Sequence, residues 1–346
     1  MQINPRGRKG FEIQFNWIFV LVAGAAIILF FSLVAIKLKD LSESSRQADI
    51  IKGIETIITS ASVAIDTTNV VEISDSEIKI DCTSMSLGQI TKQYQNLMIF
   101  SPSLIKGDKI VVQTLAFTAP FRSSGLLYAT SDKLRYIIIG NNDLADEINK
   151  TLPQEMNKEF VKVYPASMRT SSYRIRFVVI DNLNLQSINV PASIDKMNDG
   201  DVTAVKITGD MEKGTLEFYG KEGSRWALKG TSQYLGKASL IASVYTDTKE
   251  LYECGMKNAF SRHNLVAKIH IDRTQKLRDS RDIITDPQEC SGIYTDSILH
   301  LNSISDASAR LASGIIPASI QNLYDASSQL SEQNNEAQKF SCPLVY

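Results

Sequence analysis

The longest uninterrupted pattern in the chain is apolar: Trp17–Ile36, twenty positions without an ionisable residue. At about 1.5 Å rise per residue a helix of that length spans ~30 Å, the thickness of a bilayer's hydrocarbon core. A cleavable signal peptide has a shorter apolar region, about 7–15 residues, ending in small residues. Here Phe30, Phe31, Leu33, Val34 and Ile36 run straight into Lys37. The pattern therefore predicts a permanent transmembrane helix over 15–36, with Trp17, Phe19, Gly24, Ile28, Phe31 and Ile36 along it. From Lys37 to Ile65 the spacing of Ile50, Ile54, Ile57, Ile58, Ala61 and Ile65 stays helical, which predicts an amphipathic stalk over 37–66.

Beyond the stalk the period changes. Val70–Ile73 and Glu77–Cys82, separated by Ser74-Asp75-Ser76, read as a β-hairpin. Lys109–Phe117 and Gly125–Ala129 read as strands, with Pro120 between them marking an edge or a bend. Arg135–Ile139, a candidate helix over 143–152, and Arg174–Ile180 follow in the order strand, helix, strand, which predicts a parallel βαβ unit. Val202–Ile207, Thr215–Tyr219 and Ser239–Tyr245 add strands, with Gly209–Gly214 and Gly220–Gly223 as turns. After Tyr245 the pattern is helical to the end. Asp247 and Glu250 have capping-box spacing at the start of a helix running to about Leu277. Pro287 fits the first turn of a second helix, and Gly314 and Pro317 mark the break before a third. The predicted fold is α/β: a mixed sheet over 67–246 and a C-terminal antiparallel three-helix layer, 247–346, packed on it.

Charge adds orientation. Arg6, Arg8 and Lys9 precede the span with only Glu12 against them, whereas Lys37 and Lys39 are offset by Asp40 and Glu43. Basic residues are retained on the cytoplasmic side, so 1–14 is expected in the cytoplasm and the large domain outside. Composition is that of a folded protein, 43% hydrophobic and 22% charged, and 37 basic against 38 acidic residues provide no field for nucleic acid.

Arg8-Lys9-Gly10-Phe11-Glu12 ahead of an apolar helix resembles the class III signal sequences of type IV pilins and archaellins. The resemblance covers about 25 residues of the chain. It implies a processing junction between Gly10 and Phe11 and an anchor helix that packs in a filament. The pilin glutamate usually lies five residues after the cut, where this chain has Phe15; Glu12 is second. The string Phe15-Asn16-Trp17-Ile18-Phe19-Val20-Leu21-Val22-Ala23-Gly24-Ala25 resembles the anchor of a group of uncharacterised archaeal single-pass membrane proteins, which implies an anchor and no particular activity.

All four cysteines, Cys82, Cys254, Cys290 and Cys342, follow the span, and an even number in an exported region permits disulfides. Cys290 opens the second predicted helix and Cys342 closes the third, so a turn near Ile315 brings them together. Cys254 is a full helix length from Cys290, beyond the ~5.5 Å Cα separation a bridge requires, and by elimination pairs with Cys82. No Cys or His spacing suits a metal.

Motifs for chemistry are absent. There is no nucleophile elbow, phosphate-binding loop or zinc-protease helix, and no cofactor is implied. His263 and His270 are two helical turns apart, too far for one metal, and with His300 are expected to be neutral or at the surface. Asn141, Asn142, Asp143, Asp181, Asn182, Thr246 and Asp247 fall at predicted strand ends, where α/β sheets bind ligands, although Asn and Asp also serve turns and caps. Asn149-Lys150-Thr151 is a single glycosylation sequon, usable only if the domain is exported. These features predict a non-enzymatic surface protein with structural or protein-interaction partners, including the bilayer and, through anchor and stalk, other copies or envelope proteins. The alternative is an extracellular ligand sensor using the strand-end residues.

Overall fold

The computed structural model describes residues 11–61, 66–88, 90–94, 98–168, 171–280 and 287–346. The chain divides into two units, one up to Gly53 and one from Ile54 onward. Gly10 and Ile65 lie outside the described residues, as do the side chains of Phe11, Trp17, Phe19, Ile57, Ile58 and Ala61.

Helix α1 runs unbroken over Phe11–Ala61. Its stretch Val20–Lys39 is long and apolar enough to cross a bilayer, and none of it is buried against the rest of the chain. Gly24 is half-exposed, and Ile28, Phe31 and Ile36 are open to the surroundings.

The second unit holds two mixed six-stranded sheets. The first contains β1 (Thr68–Ile80), β2 (Ser84–Leu87), β3 (Ile90–Gln93), β4 (Ile99–Phe100), β5 (Leu104–Thr118) and β6 (Arg122–Ser131), in the order β3-β2-β1-β5-β6-β4. The second contains β7 (Leu134–Ile139), β8 (Lys158–Val161), β9 (Arg174–Val179), β10 (Val202–Gly209), β11 (Lys213–Glu222) and β12 (Arg225–Leu235), in the order β12-β11-β10-β9-β7-β8. Strands β8, β7, β9 and β10 are parallel, and β10 through β12 form an antiparallel meander. Helix α2 (Asp143–Thr151) connects β7 to β8.

Between the sheets lies α3 (Gly236–Tyr245), in which every residue from Ala238 to Tyr245 is buried. It packs on strands of both sheets. Phe100, Phe117, Leu126 and Tyr128 of the first sheet and Tyr136, Val178, Val205 and Phe218 of the second belong to the same core. The far face of the second sheet is covered by Leu185, Val190 and Ile194 from the segment between β9 and β10, which pack on Phe177, Tyr219 and Trp226. Burial on both faces explains why Ile137, Ile138 and Ile139 are consecutive rather than alternating with polar residues. The far face of the first sheet is apolar too, lined by Ile78, Ile80, Met85, Ile105 and Ile110 together with Ile54 from the end of α1. The neighbouring Glu55 pairs with Lys92 of β3. Three helices complete the chain: α4 (Lys249–Asp279), α5 (Pro287–Ser313), which packs on α4, and α6 (Pro317–Lys339), which packs on α5.

The single mixed sheet expected over 67–246 is two sheets, because the chain leaves the first at β6 and pairs β7 with β8 and β9 instead; three local expectations are corrected as well. Ser74-Asp75-Ser76 is not a hairpin turn: β1 continues through it, paired to β5 on both sides with a shift of register between Glu72 and Ser76. The Ser76 hydroxyl donates to the Ile73 carbonyl at 2.8 Å inside this irregularity, so turn-forming residues here make a bulge. Ser239–Tyr245 is helix, not strand, because a short element enclosed on all sides carries no amphipathic period to distinguish the two. Asp247 does not cap α4. That role falls to Thr248, whose Oγ1 accepts from the Leu251 N–H at 3.3 Å.

Candidate functional site

The strand-end residues divide between two places. At the C-terminal end of β7 the chain turns tightly into α2: a Cβ on Gly140 would lie 2.6 Å from the Ala145 Cβ and 3.1 Å from the Ile180 carbonyl oxygen. Asn142 caps α2, its Oδ1 accepting from the Ala145 N–H at 2.9 Å while its Nδ2 donates to the Ile180 carbonyl at 3.1 Å. Asp143 and Asp146 occupy the first turn of α2, where a helix N-terminus favours negative charge. Asp181 accepts from the Asn182 N–H at 2.7 Å. Asn141, Asp143 and Asp181 are exposed. This is the crevice beside β7, with β8 on one side and β9 on the other, where open parallel sheets commonly hold ligands. Its polar groups are directed largely at their own backbone, and the Asn142 bridge from the β7–α2 turn to the end of β9 narrows it.

Asp247 is elsewhere, which corrects its grouping with the others. It follows a helix and faces Arg174, the first residue of β9, about 17 Å along that strand from the Asp181 end. Its side chain is 7% exposed. Oδ1 accepts from the Ser103 N–H at 3.0 Å, and Oδ2 accepts from the Ser103 hydroxyl at 2.7 Å and from Arg174 Nη1 at 2.8 Å. Arg174 reaches Asp201 as well, at 3.5 Å. One strand register further, the buried Arg176 donates to the Ser243 carbonyl at 3.0 Å and to the Asp247 carbonyl at 3.4 Å. Its Nε has no partner among the described residues, and its guanidinium lies 5.7 Å from the Phe218 ring. Burial lowers the Arg176 pKa to about 10, opposed by the charge of Asp247. The cluster clasps the first sheet, the second sheet and the α3–α4 junction together.

The disulfides reinforce the same domain. Cys82, in the turn after β1, is bridged to Cys254 of α4 with Cα atoms 5.7 Å apart, and Cys290 of α5 to Cys342 at 5.8 Å. The second bridge is buried and the first is partly exposed. Beyond Cys342 the Val345 carbonyl accepts from His270 Nδ1 and Arg273 Nη1, both at 3.2 Å, and the Tyr294 hydroxyl donates to the Pro343 carbonyl at 2.9 Å.

His263 is fully buried. Its Nε2 lies 2.9 Å from the Ala119 carbonyl, which can only accept, so Nε2 carries the proton and Nδ1 accepts from the Ser308 hydroxyl at 2.8 Å. Its ring stacks on Phe121 at 4.9 Å. Burial pushes its pKa down to about 4 and lowers that of His270. His300 is half-buried on α5. Among the described residues no group of three or more His, Cys, Asp or Glu side chains is placed to hold a metal ion.

The Arg174–Arg176–Ser103 clasp was not anticipated from the sequence. Its signal was present: Arg-Ile-Arg opening an apolar strand puts two cations on one buried face, which requires a carboxylate partner. Comparison with protein-family models, with curated proteins and with solved structures finds no match to the chain.

Proposed function

We propose that the chain is a single-pass membrane protein whose N-terminus is cytoplasmic. Its disulfide-bonded domain stands on the outer face in a structural or protein-interaction role, within a pilus-like or envelope assembly. The observation that carries this reading is Val20–Lys39, apolar without an ionisable residue as far as Ile36 and unburied on a continuous helix, with both disulfides beyond it. Uncovered apolar surface of that extent is stable only against lipid or a partner. We read β7, α2 and β8, with β9 beside β7, as a parallel α/β unit, and α4 to α6 as an antiparallel three-helix layer. Both serve as scaffold. A structural role rather than catalysis is favoured because the buried charges engage one another and the backbone. The strand-end crevice supports a sensor role less well, since Asn142 spends its side chain on the cap and on the Ile180 carbonyl.

Alkaline extraction of membranes tests the anchor. The full chain is expected in the pellet and a chain lacking residues 1–39 in the supernatant; release of the full chain would overturn the reading. Saturable turnover of any substrate by the purified protein would overturn its non-enzymatic part.

A further inference from the structure

We infer that the Cys82–Cys254 bridge is a thiol-exchange site, opened by an external dithiol while the domain stays folded, and that Cys290–Cys342 is a fixed structural bridge. Cys82 lies in the turn between β1 and β2, where Asp81, Cys82 and Thr83 are all exposed, and Cys254 on α4 is half-buried. Cys290 and Cys342 are 1% and 5% exposed. Exchange requires a thiolate to reach one sulfur from solvent, so access separates the two bridges. The buried pair is reached only when the helical layer opens.

The exchange balances as follows. A thiolate of the dithiol attacks the Cys82 sulfur, forming a mixed disulfide, and the Cys254 sulfur leaves with the electron pair of the old bond and takes up a proton. The second thiol of the reagent then attacks its own sulfur in the mixed disulfide, closing a disulfide within the reagent and releasing Cys82 as a thiol. Two electrons and two protons pass from the dithiol, which is oxidised, to the bridge, which is reduced.

The surroundings allow this bridge to open without unfolding. The turn is held by its own hydrogen bonds: the Cys82 N–H donates to Asp81 Oδ1 at 2.7 Å, the Asp81 N–H to the Ser84 carbonyl at 2.9 Å, and the Tyr94 N–H to the Thr83 carbonyl at 2.7 Å. On the other side α4 keeps its Thr248 cap and is seated by the buried Tyr252, Met256 and Phe260. The Cys254 sulfur lies 3.4 Å from the Cys82 carbonyl oxygen, so the released thiol has an acceptor in place and the two sulfurs stay within reach of each other. What changes is a coupling. Strand β2 pairs with β1 and β3 with β2, and Lys92 of β3 pairs with Glu55. The bridge cross-links this edge of the first sheet to α4, beside the non-covalent path from the Ile80 N–H through Ser103 to Asp247. Reduction loosens the edge that meets Glu55 from the helical layer and leaves the core closed.

The test is timed reduction of the full chain in lipid nanodiscs with dithiothreitol under native conditions. Samples are blocked with N-ethylmaleimide, fully reduced, labelled with the deuterated reagent and digested, so that peptide masses report each cysteine separately. Cys82 and Cys254 are expected to open together at least about tenfold faster than Cys290 and Cys342, with cooperative melting retained at a midpoint about 5–10 °C lower. Glutathione disulfide then reforms the bridge. Single variants locate the attacked sulfur: Cys82 in Cys254→Ser is expected to react with dithiodipyridine, an uncharged disulfide, at least about tenfold faster than Cys254 in Cys82→Ser. Simultaneous reduction of both bridges, earlier opening of Cys290–Cys342, resistance of both until the domain melts, or collapse of the domain once Cys82–Cys254 is open overturns the inference. Equal reactivity of the two single variants does so too, and the labelling of the unaltered chain decides the matter if either variant fails to fold. None of these outcomes bears on the anchor, since both bridges lie within the second unit.

Discussion

Among the described residues two predominantly apolar helical stretches, one in α1 and one in α3, have opposite surroundings. In α1 the stretch Val20–Lys39 is bare along its whole length, whereas in α3 the eight residues from Ala238 to Tyr245 are enclosed between two sheets. A helix without a polar face has two stable environments, lipid or a protein core. Length separates them here. Twenty residues span a bilayer, and the ten of α3 match the depth of a domain interior.

Charge placed in each helix should break this comparison most sharply. Ile241→Asp puts an unpaired carboxylate into the enclosed helix and is expected to abolish cooperative unfolding of the domain, measured by circular dichroism. Ile28→Asp should leave the domain's melting unchanged and disfavour membrane insertion by about 3–4 kcal/mol, read as the fraction recovered in the pellet. Equal loss of domain stability in both variants would contradict the assignment of separate environments.

The next effect concerns what closes the space around α3. Its last turn ends at the clasp, where Arg176 meets the Ser243 carbonyl and Asp247 holds Arg174 and Ser103. Asp247→Ala leaves Arg174 with only the longer contact to Asp201 and takes away the carboxylate nearest the buried Arg176, and should cost about 3–5 kcal/mol in denaturant unfolding. A loss below about 1 kcal/mol would show the pair to be a solvated one.

Acid should sharpen the picture further. His263 is neutral when folded and has a pKa of about 4, below the ordinary value of about 6.5. Between those values the unfolded chain binds the proton first, so stability is complete above about pH 6.5 and falls as pH drops towards 4, by roughly 3 kcal/mol in all. Unfolding midpoints at a series of pH values should follow that slope, and His263→Gln should flatten it. The smallest effect is expected at Asp181→Ala. This residue is exposed and among the described residues bonds its neighbour's N–H, so stability should change by no more than about 0.5 kcal/mol.

Much of the architecture is legible in the sequence where one physical cause dominates. Lys109–Phe117, Gly125–Ala129, Arg135–Ile139 and Val202–Ile207 lie within β5, β6, β7 and β10, because runs of β-branched and aromatic residues there end at turn formers. Pro287, Gly314 and Pro317 place the boundaries of α5 and α6 through backbone restriction alone. Strand β12 carries no clear strand signal because Arg225–Leu235 is polar on one face, contains Gly230, and is paired with a bulge opposite Phe218. The β11–β12 turn lies at Gly223, whose φ of +58° favours glycine, while Gly220 stays inside β11. The candidate site was legible only as residue types. Asn142 and Asp181 do lie at strand ends, yet the position of Asp247 depends on a contact 73 residues away in sequence, with Arg174. No local pattern carries that information.

The most direct measurement is protease added to intact cells expressing the full chain. An outward domain predicts removal of everything beyond the stalk, leaving a short membrane-bound fragment that contains Val20–Lys39. A full-length chain that survives on intact cells and is cut only after lysis would place the domain in the cytoplasm and contradict the topology.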